Sequence, residues 1–166
     1  PWLPLEEEGR LNDPVLRSRF FERVFAVQRW RDQVERQPSV AALAQFHANH
    51  KLLLLSRGDI HYRALGRIVS AARATQLEAS LQRYFDRFCA TLALPVSRGR
   101  IVNVLQHILG YFKRVLASAD RQELLDAFET YRLQLTSLHT PLALLRHHLR
   151  HHPHPWLIQQ TFFDPY

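Results

Sequence analysis

Methionine is absent from these 166 residues, cysteine occurs once and glycine only five times. The lone thiol, Cys89, cannot close an internal disulfide, and it cannot by itself ligate an iron–sulfur cluster or a zinc ribbon. A cytoplasmic setting is the default that follows. No apolar run approaches the roughly 20 residues that a membrane-spanning helix requires. The longest leucine tract, residues 52–55, stops at Ser56. There is no secretory signal pattern. Gly58, Gly66, Gly99 and Gly110 stand isolated, so no glycine-rich phosphate loop can be assembled from them. Strand-like alternation never persists beyond a few residues, and there is no internal repeat. A chain that starts at Pro1 without methionine is expected to be a piece of a longer polypeptide.

What remains is a helical vocabulary. Hydrophobic residues make up 46% of the chain, enough for one domain with a core of its own. Leucine, alanine, arginine and glutamine dominate, and all four favour helices. Residues 1–13 read as an extended acidic linker, and residues 14–166 as one helical domain. Asp13-Pro14 is an N-cap followed by proline at the first helical position, opening a helix over about 14–36. Pro38-Ser39 restarts the chain for a helix over 40–56, and Gly58-Asp59 caps another over 60–73. Thr75 with Glu78 forms a capping box for a helix that reaches about residue 94. Pro95 then breaks the chain before a helix over 100–117. Ser118 or Asp120 caps the next helix, which runs to about 135. Thr140-Pro141 starts a short helix ended by His152-Pro153, and a last short helix precedes the final Phe-Phe-Asp-Pro-Tyr. The expected fold class is all-α, a single compact bundle of about six to eight helices.

Charge is segregated along this pattern. The net charge is +7, yet Glu6, Glu7, Glu8 and Asp13 crowd the first thirteen residues with only Arg10 among them. Twenty of the 22 cations are arginine, whose planar fork suits phosphate better than a lysine point charge. Residues 36–73 carry six cations and one acid, residues 98–114 four cations and none, and residues 132–154 three arginines and six histidines with no acid. If these helices share one face, it can neutralise several phosphates; otherwise the runs are ordinary solvated helix surfaces.

Two stripes sharpen the choice. Over 100–117, Arg100, Asn103, His107, Tyr111 and Arg114 recur every three or four residues, opposite the apolar Val102, Leu105, Leu109, Phe112 and Leu116. Charge, amide, imidazole and aromatic ring on one stripe suit a phosphodiester and a stacked base. His47 and Lys51 stand one turn apart in an earlier helix, as do Arg63 and Arg67 in the next. The candidate RNA-binding set is therefore His47, Lys51, Arg63, Arg67, Arg98, Arg100, Asn103, His107, Tyr111, Lys113, Arg114, Arg146 and Arg150. Against it, Asn103 and His107 could equally be buried and satisfied at a helix crossing. His47 with His50, and His147 with His151, have metal-ligand spacing, but neither pair has an adjacent carboxylate or the glutamate of a zinc-protease motif. The stretch 146–155 reads instead as a basic, partly protonatable surface near a helix end. Cys89 reads as a buried small hydrophobe. Gly66 and Gly110 fall inside expected helices, where close packing or close ligand approach would offset their cost of about 1 kcal/mol.

Several strings together resemble a known family. Phe46-His47-Ala48-Asn49-His50-Lys51 with the leucines that follow, Tyr62-Arg63-Ala64-Leu65-Gly66, and the long run from Asn103 through His107, Gly110 and Tyr111 to Lys113 are similar to the YbgA-like domain of unknown function 1722. Tyr131-Arg132, Pro141-Leu142 and the closing Gln159-Gln160-Thr161-Phe162-Phe163-Asp164-Pro165-Tyr166 extend the match over essentially all of residues 14–166. The opening Pro4-Leu5-Glu6-Glu7-Glu8-Gly9-Arg10-Leu11 resembles the end of a thiouracil-desulfidase (TudS-like) domain. The resemblance implies a division of labour. The preceding domain would carry an iron–sulfur cluster and remove sulfur from thiolated uracil. The domain at hand would recruit tRNA so that 4-thiouridine becomes uridine. The cluster cysteines are missing here, so no cofactor, metal site or catalytic residue is expected in this chain, and no membrane partner. The alternatives are a structural domain that stabilises the desulfidase and a His-dependent hydrolase or nuclease. No base–nucleophile–orienter set is visible for the latter.

Overall fold

The computed structural model describes residues 3–166, so the first two residues of the expected linker lie outside it. Nine α-helices and no strand occur among the described residues. α1 (Pro14–Trp30) starts as expected, with the Asp13 carboxylate accepting from the amides of Val15 and Leu16 at 2.7 and 3.1 Å. It runs on through a wider π turn, Arg31–Glu35. The linker before it is not wholly extended, because Glu8–Asn12 forms a 3-10 turn. Ser39 caps α2 (Val40–Asn49) by accepting from the Ala42 amide.

The single helix expected over 40–56 is two: α2 ends at His50, and α3 (Lys51–Arg57) starts afresh. At the break the His50 ring hydrogen-bonds the Phe46 carbonyl at 2.8 Å, which already accepts from the His50 amide. The backbone groups opened by the break are satisfied from the far end of the chain. The Gln160 amide donates to the Ala48 carbonyl at 2.9 Å and accepts from the Leu52 amide at 3.2 Å, while the Thr161 amide donates to Asn49. Such groups must find partners when buried. These partners lie more than 100 residues away, so local spacing could not reveal the break.

Gly58, at φ +129°, turns the chain into α4 (Asp59–Ala71); a side chain is strained in that conformation. α5 (Leu77–Leu92) follows a short 3-10 turn, so the Thr75 capping box does not form. α6 (Arg98–Tyr111) begins earlier than expected because Ser97 caps it, accepting from the Arg100 amide. α7 (Ser118–Arg132) and α8 (His139–His151) lack the side-chain caps foreseen at Ser118 or Asp120 and at Thr140. α9 (Pro155–Ile158) starts at a proline capped by His154.

The bundle encloses two apolar cores. One gathers Trp30, Leu43, Phe46, Leu65, Tyr84 and Phe88 from α1, α2, α4 and α5. The other gathers Leu105, Ile108, Leu124, Phe128, Leu145 and Leu157 from α6 to α9. α3 serves both: Leu52 enters the second core, Leu53 and Leu54 the first. The leucine tract is a short helix buried on almost every side. The apolar stripe expected on α6 (Val102, Leu105, Leu109) and Phe112 are buried there too.

Candidate functional site

The break at His50 brings the first residue of α3 into a cluster of rings. Lys51 places its ammonium 5.8 Å from the centroid of Tyr62 (α4) and 5.4 Å from that of Trp156 (α9). Both distances are within cation–π range. Tyr111, at the end of α6, stacks on Trp156 at 5.1 Å and 23°. His107 and His154 meet the Tyr111 ring edge-on at 5.6 and 5.0 Å. On the other side His47 lies flat on Tyr62, 4.9 Å away and 4° from parallel. Four helices and the end of α2 thus bring two tyrosines, a tryptophan, three histidines and a lysine together.

Electrostatics distinguish these histidines. His47 is only 8% exposed and shares a hydrogen bond of 3.0 Å with the buried Tyr84 hydroxyl. Burial, then the Lys51 charge, push its pKa down to about 4, so it is neutral at pH 7. Buried beside Tyr84, it leaves the surface on which the sequence placed it. His107 is exposed, and burial of part of its ring together with Lys51 lowers its pKa as well. Burial, Asp59 and then Tyr111 raise that of Tyr62, which keeps its proton. Gly66 faces His47: a Cβ there would stand 3.4 Å from Nε2. At neutral pH the cluster therefore holds an ammonium among aromatic faces, beside the uncharged imidazole of His47. Such a lining can stack a planar ring and neutralise a nearby anion.

The other sequence-predicted residues fall into two groups. Arg100, Asn103 and His107 are exposed and Tyr111 half-buried, so the α6 stripe faces outward rather than lying in a helix crossing, but the helix stops at Tyr111, short of the expected residue 117, and leaves the exposed Arg114 in the turn beyond it. Lys113, Arg63, Arg67 and Arg150 are exposed too, with Arg63 paired to Asp59 at 2.7 Å. Three arginines, the exposed Arg100 among them, also serve the fold. Arg98 donates to the Tyr131 carbonyl at 2.8 Å and lies over the Tyr131 ring, Arg100 donates to the Arg57 carbonyl at 3.2 Å, and Arg146 donates to the carbonyl of Phe163. Arg150, in the last turn of α8 near His147 and His151, stands outside the ring cluster. Tyr62, His154 and Trp156 were missed as site residues. Tyr62 stood in a recognised string, and Trp156 was signalled only by its place in a proline-started helix.

Among the described residues no three His, Cys, Asp or Glu converge as a metal-ligand group. The Cys89 thiol is buried and pushed up to about 12. A lone, protonated thiol does not fit an iron–sulfur cluster. No helix among the described residues is long and apolar enough to cross a membrane.

A family model described as "Protein of unknown function (DUF1722)" matches residues 51–166, from the first residue of α3 onward. The chain is 30% identical over 143 residues to the "Uncharacterized protein YbgA" of Escherichia coli (strain K12), an overlap of 86% of this chain and 85% of that protein. No solved structure matches it.

Proposed function

From the premise that this chain belongs to the DUF1722 family, we propose that it is an RNA-binding module without chemistry of its own. The ring cluster at Lys51 would take an unstacked base, and the α6 stripe the phosphates beside it. One observation carries this reading: the Lys51 ammonium stands between the Tyr62 and Trp156 rings, with Tyr111 and His107 of the stripe next to them. Base stacking on an aromatic face contributes about 1–3 kcal/mol per base, and each neutralised phosphate adds a salt-dependent increment.

The finer proposal is that the RNA is tRNA, held in the cytoplasm for a preceding desulfidase-like domain that turns 4-thiouridine into uridine. It rests on the resemblance of residues 4–11 to the end of such a domain. Any iron–sulfur cluster would belong to that domain.

Fluorescence anisotropy of labelled tRNA at two salt concentrations tests the reading. Binding should weaken steeply with salt, and Trp156→Ala should weaken it about tenfold, the loss of one stacked base. Heparin binding as tightly as tRNA, with Trp156→Ala without effect, would remove the case for an RNA site.

A second reading has an observation of its own. Phe21 and Phe25, on α1, are 42% and 40% exposed, and the Tyr166 ring lies against both. Such a face suits a domain that docks on a neighbour. A full-length protein that keeps tRNA binding after Lys51→Gln with Trp156→Ala, but loses solubility after Phe21→Ser with Phe25→Ser, would favour docking.

A further inference from the structure

α4 has two flanks. Tyr62 and Gly66 lie on the side of Lys51, and Arg63 and Arg67 follow about 100° further round, on its outer ridge. Beyond the ridge, α4 and α5 border an open groove of about 900 Å³. Its apolar lining is Ala64, Ile68 and Ala79, two of them too small to fill it. Arg67 of α4 lines it, as do Arg83 and Arg87, one turn apart on α5. Among the described residues the only carboxylate lining it is that of Asp86, whose two oxygens each accept from the Gln82 amide at 3.0 Å.

Three arginines and one carboxylate line the same groove, so its lining carries a net positive charge that favours an anion. Elsewhere in the molecule arginines are used differently. Arg29, Arg98, Arg100 and Arg146 hold backbone carbonyls, and Arg57 holds Glu22. Guanidinium forks match phosphate oxygens two at a time, while small alanines leave room for the sugar or ring attached to the phosphate.

We propose that the α4–α5 groove is an oxyanion site for the phosphate of a nucleotide or of a nucleic-acid strand, separate from the ring cluster at Lys51. The proposal does not depend on that cluster binding RNA.

Arginine side-chain NMR separates the possibilities. The Nε–H signals of Arg67, Arg83 and Arg87, assigned with single Arg→Gln variants, are followed in the full chain together with the Trp156 indole N–H. The probes are inorganic phosphate, uridine monophosphate and a ten-nucleotide oligouridylate. The three arginine signals should shift together and saturate, and Arg83→Gln with Arg87→Gln should weaken the binding about tenfold without changing Tm, since both side chains are exposed. Saturation with phosphate or the mononucleotide identifies a free phosphorylated ligand; saturation with the oligonucleotide alone identifies a strand. Arginine shifts that never saturate, that match those of the surface Arg150, or that persist in the double variant overturn the proposal. A Trp156 signal unmoved by every probe would count against the base-stacking site and leave the groove standing.

Discussion

Two imidazoles in the first core behave as apolar rings at neutral pH. His50 is fully buried, stacked on Phe46 at 4.0 Å, with its pKa driven down to about 3 chiefly by burial. Its Nδ1 proton goes to the Phe46 carbonyl, which leaves Nε2 as a lone pair without a partner among the described residues. His47 titrates at about 4. Both values lie below the ordinary 6.5, so between pH 6.5 and 4 the unfolded chain binds more protons than the folded one. Stability is thus complete above pH 6.5 and lost as the pH falls toward 4. Between pH 7 and 5 each histidine should remove about 2 kcal/mol. Urea midpoints across this range check it, and His47→Phe should remove part of the slope; an unchanged midpoint down to pH 5 would refute it. The sequence marked His47 and Lys51 as neighbours on one helix, which is correct in spacing. It could not say that Tyr84, 37 residues on, would draw one of them into the interior.

At the scale of elements, the joint between α2 and α3 governs the site, because it sets the direction of Lys51. Replacing Gln160 by alanine would strand the Leu52 amide and leave the Ala48 carbonyl with the His50 amide alone. A loss of about 1–3 kcal/mol follows, read from chemical denaturation, with weaker oligonucleotide binding because Lys51 adjoins Leu52. Gln160→Glu keeps the acceptor for Leu52 and should fall between. Gly110 offers a different test. A Cβ there meets nothing within 4 Å, so close helix packing does not account for this glycine. Gly110→Ala should raise stability by up to about 1 kcal/mol. Weaker oligonucleotide binding by the same variant would mark a ligand approaching the stripe. The main helices were legible wherever proline, serine or glycine punctuated the chain, as at Asp13-Pro14 and Ser39. Caps failed where a turn of 3-10 helix intervened, as before Leu77, and the α2–α3 break was hidden because its cause is tertiary.

For the molecule as a whole, charge has two distinct duties that composition lumps together. Arg98, Arg100 and Arg146 tie helices to distant carbonyls, whereas Lys113 and Arg114 stand exposed at the end of α6. The salt dependence of oligonucleotide affinity should tell them apart. Lys113→Gln with Arg114→Gln should reduce the slope of log K against log salt by about 1.4, two contacts on a single strand. Arg98→Gln should leave the slope nearly unchanged and lower Tm instead; equal slopes in all three proteins would show that these cations touch no phosphate. The sequence distinguished a charged stripe on α6 from its apolar back, but not which arginines the backbone would claim, since the receiving carbonyls lie in other elements. The final residues bear on how the fold is reached. Gln160 and Thr161 seal the α2–α3 joint, Arg146 and Arg29 grip the carbonyls of Phe163, Asp164 and Pro165, and Tyr166 bonds Ser18 at 2.6 Å. All of these partners leave the ribosome before the segment that secures them. A nascent chain can therefore assemble most of its helices yet must keep the joint hydrated and Lys51 unaimed until translation has passed Gln160, which makes completion of the binding face a late, post-helical event.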